Sequence, residues 1–266
     1  MIRSFDVDPS QGRGRRETPR FHGFGCRGRA PHRLAAPPDL GTHHAGEPPH
    51  DREGTETVQI PPFGLEGTLG LPMGRARGVV LFAHGSGSSR FSPRNDYVAN
   101  ALRQAGLATL LFDLLSESEA GDRANVFDIG LLADRLLAAT AWARACETTR
   151  SLALGYFGAS TGAAAALAAA ARLGEGIGAV VSRGGRPDLA GRMLRLVKAP
   201  TLLIVGGHDT EVLALNRTAL RALRCKGMIE VVAGATHLFE EPGALEAVVE
   251  LARRWFLGHL ATRAQG

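Results

Sequence analysis

Uninterrupted apolar runs, separated by stretches with helical periodicity, dominate the chain from about residue 56 onward. These runs do not alternate apolar with polar residues, as strands with one face in solvent do. They are typical of strands that helices bury on both faces of a parallel sheet. The sequence therefore predicts an α/β fold with a mostly parallel sheet and helices on both faces. The predicted strands lie at 57–60, 65–71, 78–83, 107–112, 152–157, 178–181, 201–205 and 228–232.

Helical periodicity occupies most of the intervening sequence. The predicted helices lie at 94–104, 127–146, 163–171, 211–223 and 244–260, with a short helical stretch near 189–197. The connection between Val181 and Leu202 is short, which leaves little room for an inserted cap. We therefore expect a minimal lid or none.

Residues 1–55 differ in composition from the rest of the chain. They are crowded with Arg, Gly, Pro and His and carry almost no apolar periodicity, so they cannot bury enough surface to fold. We predict that 1–55 is a disordered extension and that 56–266 is one domain. An extension that is absent from the mature protein is an alternative interpretation of this segment.

The formal net charge of +5 raises the question of nucleic-acid binding, because Arg/Gly stretches can contact phosphate backbones. The 55-residue segment, however, holds nine Arg against seven Asp and Glu. The whole chain also uses 29 Arg and 2 Lys, a bias that extends far beyond the arm. Since no nucleic-acid-binding motif accompanies it, we do not expect nucleic acid as a partner.

Targeting and redox signals are weak. The N-terminus lacks the apolar core of a secretory signal, and no stretch reaches the ~20 apolar residues of a membrane span. The three cysteines, Cys26, Cys146 and Cys225, have no paired spacing. We therefore expect a cytoplasmic protein with no membrane partner.

The segment Gly158-Ala159-Ser160-Thr161-Gly162 lies between a predicted strand and an Ala-rich predicted helix. A Gly-x-Ser-x-Gly sequence in this position is the nucleophile-elbow pattern of α/β-hydrolases. The strained turn exposes the serine hydroxyl above the sheet and places it at a helix N-terminus, where developing negative charge is favoured. Ser160 is the candidate nucleophile.

Two further strand ends carry the partners that a serine nucleophile needs. Asp209 follows the strand 201–205, and His237 follows the strand 228–232. The chain order Ser, Asp, His is that of α/β-hydrolases. His237 is the predicted general base, and Asp209 is predicted to orient its imidazole. Asp188 is an alternative acid and Glu211 a weaker one, while Asp209 could instead serve as a helix N-cap.

An acyl-transfer site also needs two donors aimed at the oxyanion. We expect one to be the backbone N–H of Thr161 and the other the N–H of Ser86, in the loop His84-Gly85-Ser86-Gly87-Ser88. This loop lacks the Lys-Ser/Thr pair of a Walker loop and the third glycine of a dinucleotide fingerprint. His84 is predicted to support the loop rather than to act as a base.

The segments 79–89, 112–113, 155–162, 205–209 and 234–241 together resemble the dienelactone-hydrolase-like branch of the α/β-hydrolase superfamily, over about residues 57–260. The resemblance implies an enzyme that hydrolyses esters or lactones and uses neither metal nor cofactor. Dienelactone hydrolases proper use a cysteine nucleophile, so serine at position 160 shifts the expectation toward general carboxylesterase chemistry. Some relatives carry a phosphoribosyltransferase domain. This chain lacks an acidic pair followed by a Thr/Gly phosphate loop, so we do not assign that activity.

The expected substrate is a small soluble ester or lactone, since bulky lipids usually require a larger cap. Arg183, with Arg90, is predicted to select anionic substrates, because arginine pairs with carboxylates in a bidentate manner. A solvated or structural role is the alternative for both arginines. Two other functions remain compatible with the same residues: a catalytically silent binding module, and acyl transfer to an acceptor other than water.

Overall fold

A computed structural model describes residues 54–260. Almost all of the predicted disordered extension therefore lies outside the described residues, and the proposed domain boundary stays a prediction. The described residues form an eight-stranded sheet in the order β1-β2-β4-β3-β5-β6-β7-β8. The strands are β1 (Thr55–Ile60), β2 (Leu65–Gly70), β3 (Val79–Ala83), β4 (Ala108–Phe112), β5 (Leu154–Ala159), β6 (Ala179–Arg183), β7 (Thr201–Gly206) and β8 (Gly227–Val232).

The strand directions match the prediction of a mostly parallel sheet. β1 pairs antiparallel with β2, and β2 pairs antiparallel with β4. All pairings from β4 through β3, β5, β6 and β7 to β8 are parallel. The carboxyl ends of these six strands therefore meet at one edge of the sheet, which is where sites form in such folds.

The described residues also contain seven α-helices, of which six lie between strands and the last follows β8. They are α1 (Pro93–Gln104), α2 (Glu117–Ala120), α3 (Arg123–Phe127), α4 (Ile129–Ala145), α5 (Thr161–Leu173), α6 (Thr210–Ala222) and α7 (Ala244–His259), and a 3₁₀ segment spans Pro187–Leu196. Residues of α4, α5 and α6 pack in one apolar cluster with one face of the sheet, and residues of α1 and α7 pack in a second cluster with the other. The predicted α/β fold with helices on both faces is confirmed.

The helix α5 is buried along most of its length, and its apolar residues are almost all alanine. Small side chains let a helix approach the sheet closely, and here the start of α5 packs against the carboxyl end of β3. This close approach explains the Ala-rich composition without any reference to a membrane. In the part of the chain that the structure describes, no helix combines the length and the apolar character needed to cross a bilayer.

The region between β4 and α4 differs from the prediction. The single helix expected at 127–146 begins at Ile129, because the Asp128 side chain caps α4 by accepting the N–H of Leu131. The short helices α2 and α3 precede it, each with its own cap, Ser116 and Asp122. Helices of four and five residues leave no periodic apolar pattern in the sequence, so only their caps could have indicated them.

Candidate active site

Ser160 lies in the tight turn between β5 and α5. Its backbone has φ 50° and ψ −122°, a conformation that is strained for any residue with a side chain. Its N–H donates to the carbonyl of Arg183, and its own carbonyl accepts the N–H of Arg186. These bonds to the segment after β6 hold the turn in the strained conformation.

The two glycines of the elbow are required by close backbone contacts. A methyl group on Gly158 would lie 2.5 Å from Cα of Ala163, within the first turn of α5. A methyl group on Gly162 would lie 2.2 Å from the carbonyl oxygen of Ala83, at the end of β3. Both distances are far shorter than van der Waals contact, so the turn can close only with glycine at both positions.

Asp209 and His237 form a hydrogen-bonded pair beyond the ends of β7 and β8. Nδ1 of His237 donates to Oδ2 of Asp209 at 2.7 Å. The Asp209 side chain is 14% exposed and that of His237 is 39% exposed. Because Nδ1 carries the shared proton, Nε2 of the neutral imidazole is left as the acceptor. This is the tautomer that a general base needs.

His237 and Ser160 both contact the segment that follows β6. A methyl group on Gly184 would lie 3.6 Å from Cε1 of His237, so the imidazole ring lies against that glycine. The preceding residue, Arg183, is paired with Ala159 in the sheet and binds the N–H of Ser160. Ser160 and His237 make no direct hydrogen bond within the described residues. Catalytic hydrogen bonds often tighten only in the substrate complex.

The two alternative acids lie in other environments. The carboxylate of Asp188 accepts from Nε and Nη2 of Arg186, at 2.9 and 2.8 Å. Glu211 is an exposed residue in the first turn of α6. Asp209 occupies the N-cap position of the same helix, but its side chain makes no capping hydrogen bond. These contacts favour Asp209 over both alternatives as the partner of His237.

The loop after β3 is held by His84. Its Nδ1 donates to the carbonyl of Gly85 at 3.0 Å, and its Nε2 accepts the N–H of Leu114 at 3.0 Å. Burial lowers the pKa of His84 below its ordinary value of 6.5. The ring is therefore a neutral brace between the loop and the end of β4, in agreement with its predicted supporting role.

The two predicted oxyanion residues contact each other directly. The N–H of Ser86 donates to Oγ1 of Thr161 at 3.0 Å. Gly85 lies against the nucleophile, since a methyl group on it would come 3.6 Å from Oγ of Ser160. Thr161 is the first residue of α5, where the backbone N–H has no acceptor within the helix. The loop and the helix start thus converge beside Ser160, a contact that sequence reasoning did not predict.

A cavity of about 820 Å³ opens beside this convergence. Ser86 and Thr161 line it, whereas Ser160 and His237 are not among its lining residues. Its apolar wall includes Leu115 and Val126, from the segment between β4 and α4, and Leu132 of α4. This unpredicted segment, rather than an insertion between β6 and β7, shapes the space that a substrate could occupy.

Arg90 also lines the cavity, but its charge is compensated. Its guanidinium donates to the carboxylates of Asp113 and Glu66, and its backbone N–H donates to Asp113. The guanidinium also stacks on the ring of Phe91. These contacts favour a structural role, the alternative to anion selection that the sequence left open.

Arg183 is placed differently. Its residue is 8% exposed, and Nη1 has no hydrogen-bond partner among the described residues. Burial, with a smaller contribution from the positive charge of Arg94, lowers the pKa of Arg183 to about 10. A buried guanidinium without a carboxylate partner is costly, so an anion beside it would be stabilised.

The sequence model that describes the dienelactone hydrolase family matches residues 65–255, which include all three strand ends described above. The chain belongs to the dienelactone hydrolase family. It has the α/β-hydrolase fold that the resemblance implied.

Similar proteins of known sequence include two from Mycobacterium tuberculosis strains, each provisionally named a phosphoribosyl transferase. Each is 57% identical over 216 residues, and the match covers 81% of this chain and 48% of the relative. The chain thus spans about half the length of the curated relatives that it matches. About half of each relative lies outside the match, so the name of the relatives is not extended to this chain.

Solved structures resemble the described fold closely. A dienelactone hydrolase from Anabaena variabilis is 55% identical, with a TM-score of 0.73, and the match covers 77% of this chain and 97% of that one. Est1E from Butyrivibrio proteoclasticus has a TM-score of 0.65 at 16% identity, with 77% and 98% of the two chains covered. At that identity, the likeness to Est1E shows a shared fold alone.

Proposed function

We propose that this protein is a serine hydrolase that cleaves small carboxylic esters or lactones through an acyl-enzyme, with Ser160, His237 and Asp209 as its catalytic triad. The observation that carries the proposal is the hydrogen bond between Asp209 and Nδ1 of His237, at strand ends beside a strained Ser160 elbow. Membership of the dienelactone hydrolase family supports the reaction class.

In the acylation step, Oγ of Ser160 attacks the substrate carbonyl while Nε2 of His237 takes the hydroxyl proton. Asp209 stabilises the resulting imidazolium through Nδ1 without taking the proton. The tetrahedral oxyanion forms beside the start of α5, where free N–H groups and the helix dipole favour negative charge. Collapse expels the alcohol oxygen, which takes the proton from Nε2, and leaves an acyl ester on Ser160.

Deacylation repeats these roles with water as the nucleophile. His237 removes a proton from water, the hydroxide oxygen attacks the acyl carbon, and the proton returns to Oγ of Ser160 as the carboxylic acid leaves. A lactone would follow the same two steps, and its leaving alcohol would remain attached to the released acid. The 39% exposure of His237 is compatible with access of water to its ring.

We further propose that Arg183 favours substrates that carry a carboxylate, because Nη1 of its buried guanidinium has no hydrogen-bond partner among the described residues. Participation of Arg90 stays a prediction, and the contacts of Arg90 with Glu66 and Asp113 do not favour it. The comparison is between Arg183→Met and wild type on neutral and carboxylate-bearing esters of equal size. Unchanged relative kcat/KM values would rule out anion selection by Arg183.

A fluorophosphonate probe tests the triad directly, because it reacts covalently with an activated serine hydroxyl. We expect labelling at Ser160 in the folded protein, no labelling of Ser160→Ala, and loss of turnover of p-nitrophenyl esters in that variant. Full ester turnover by Ser160→Ala would overturn the proposal. Absence of both labelling and turnover in the wild type would favour a silent binding module.

Acyl transfer would use the same triad with a different acceptor. Product analysis with water and competing alcohols separates the two reactions, and we expect the free acid to dominate. We do not extend phosphoribosyl transfer to this chain. That name belongs to relatives about twice as long as the 216-residue matched region.

A further inference from the structure

The side chain of Thr161 contacts the loop after β3. Its Oγ1 accepts the N–H of Ser86 at 3.0 Å, and the residue is 3% exposed. The Ser86 N–H, which the sequence predicted as an oxyanion donor, thus donates to the Thr161 hydroxyl. The Ser86 N–H is not free to contact a substrate oxygen in this arrangement.

The proton of the Thr161 hydroxyl has no acceptor among residues 54–260. Other helical threonines direct this proton to the carbonyl four residues earlier, as Thr140 does to Leu136 at 2.8 Å and Thr218 does to Ala214 at 3.1 Å. Thr161 makes no such bond, because it is the first residue of α5 and the residue four positions earlier belongs to β5. Its proton is therefore available to a ligand.

Thr161 is also next to the nucleophile in the chain, and it borders the cavity together with Ser86. A hydroxyl that accepts a hydrogen bond becomes a stronger donor, because the two bonds polarise each other. Hydrogen bonds from a hydroxyl to an anionic oxygen are short and strong compared with those to a neutral carbonyl.

We infer that Thr161 supplies two donors to the oxyanion, its backbone N–H and its side-chain O–H, and that the Ser86 N–H acts behind the hydroxyl rather than on the substrate. The hydroxyl stabilises the charge without transferring its proton. The inference rests on the proposed serine hydrolase activity and adds a catalytic group to it.

Thr161→Val tests the inference, since it removes the hydroxyl and retains both the shape and the backbone N–H. We expect kcat on a neutral p-nitrophenyl ester to fall by about 100-fold, the loss typical of one oxyanion donor, with little change in KM. Thr161→Ser, which retains the hydroxyl, should keep most of the wild-type kcat. Thr218→Val makes the same chemical change on the exposed face of α6 and should have no effect.

An arylboronic acid supplies a second readout, because it forms a tetrahedral adduct with a serine nucleophile. We expect its inhibition constant for Thr161→Val to rise in proportion to the fall in kcat. If Thr161 acted only in folding, Thr161→Val would lower the melting temperature, and the inhibition constant would not rise in proportion to the fall in kcat. If Thr161→Val does not fold, Thr161→Ala removes the same hydroxyl with less bulk. We expect the same changes in kcat and in the inhibition constant for it.

Two outcomes would overturn the inference. An unchanged kcat in the folded variant would show that the hydroxyl does not contact the oxyanion. An increased kcat would show that the hydroxyl competes with the oxyanion for the Ser86 N–H. In either case, loss of activity in Ser160→Ala would leave the proposed function intact. Retained activity in Ser160→Ala would contradict both the proposed function and the role of the Thr161 hydroxyl.

Discussion

Nδ1 of His237 donates to Oδ2 of Asp209 at 2.7 Å, across 28 positions of chain and between the ends of two neighbouring strands. Asp209 stands at the N-cap of α6, a position where aspartate normally accepts a backbone N–H of the helix. Its side chain makes no such bond. The carboxylate is therefore directed at the imidazole, and α6 begins without this stabilising contact.

Asp209→Asn should lower kcat by about 10⁴-fold, because an amide favours the wrong imidazole tautomer and does not stabilise the imidazolium. Steady-state kinetics on a p-nitrophenyl ester provide the measurement. Asp188→Asn is the matched control, since its carboxylate binds Arg186 and not His237. Comparable losses in the two variants would contradict the assignment of Asp209.

Ser160→Gly should be more stable than Ser160→Ala by about 1 kcal/mol, because only glycine adopts φ 50° with this ψ at low cost. Both variants lack the nucleophile, so the comparison isolates backbone strain. Urea unfolding gives the two free energies. Equal stability, or a more stable alanine variant, would show that the turn is not strained at Ser160.

Gly162→Ala should destabilise the protein by more than about 2 kcal/mol and abolish ester turnover, since the added methyl would meet the carbonyl of Ala83 at 2.2 Å. The backbones of α5 and β3 would have to separate, which would displace Ser160. Gly258→Ala is the control, because Gly258 is exposed in α7 and a methyl there meets no atom within 4 Å.

The control variant should be neutral or stabilised by roughly 0.5 kcal/mol, as expected for alanine in place of glycine in a helix. Chemical denaturation of both variants decides the comparison. A Gly162→Ala protein with wild-type stability and activity would mean that the elbow tolerates a wider turn than the structure contains.

The sheet was predictable because its central strands are unbroken apolar runs, such as Leu154–Ala159. The helices around them instead show apolar residues at helical spacing. Their order along the chain also placed Ser160, Asp209 and His237 at one edge. The sequence could predict the pairing of Asp209 with His237 only from the chain order Ser, Asp, His. In the structure the two side chains are 2.7 Å apart.

The walls of the cavity could not be predicted in the same way. Glu117–Ala120 and Arg123–Phe127 are too short for a periodic signal, and their positions depend on tertiary contacts. The bond from Ser86 to Thr161 joins residues 75 positions apart and leaves no pattern in the sequence. Likewise, nothing in the residues around Arg90 indicates that Glu66 compensates its charge.

His84 makes the stability of the protein depend on pH below neutrality. Burial lowers its pKa in the folded state, whereas in the unfolded chain it titrates near 6.5. Above that pH the ring is neutral in both states, and its contribution to stability is fully present. As the pH falls below 6.5, the unfolded chain binds a proton that the folded protein excludes, so stability is lost at up to about 1.4 kcal/mol per pH unit.

His84→Gln removes this linkage while keeping one donor and one acceptor for Gly85 and Leu114. We expect the free energy of unfolding of the wild type to decline more steeply than that of the variant between pH 6.5 and 5. Parallel curves would contradict the assignment, as would an NMR titration that places the His84 pKa above 6.5. Asp113 favours the protonated ring, but less than burial disfavours it, so Asp113→Asn should steepen the wild-type decline rather than remove it.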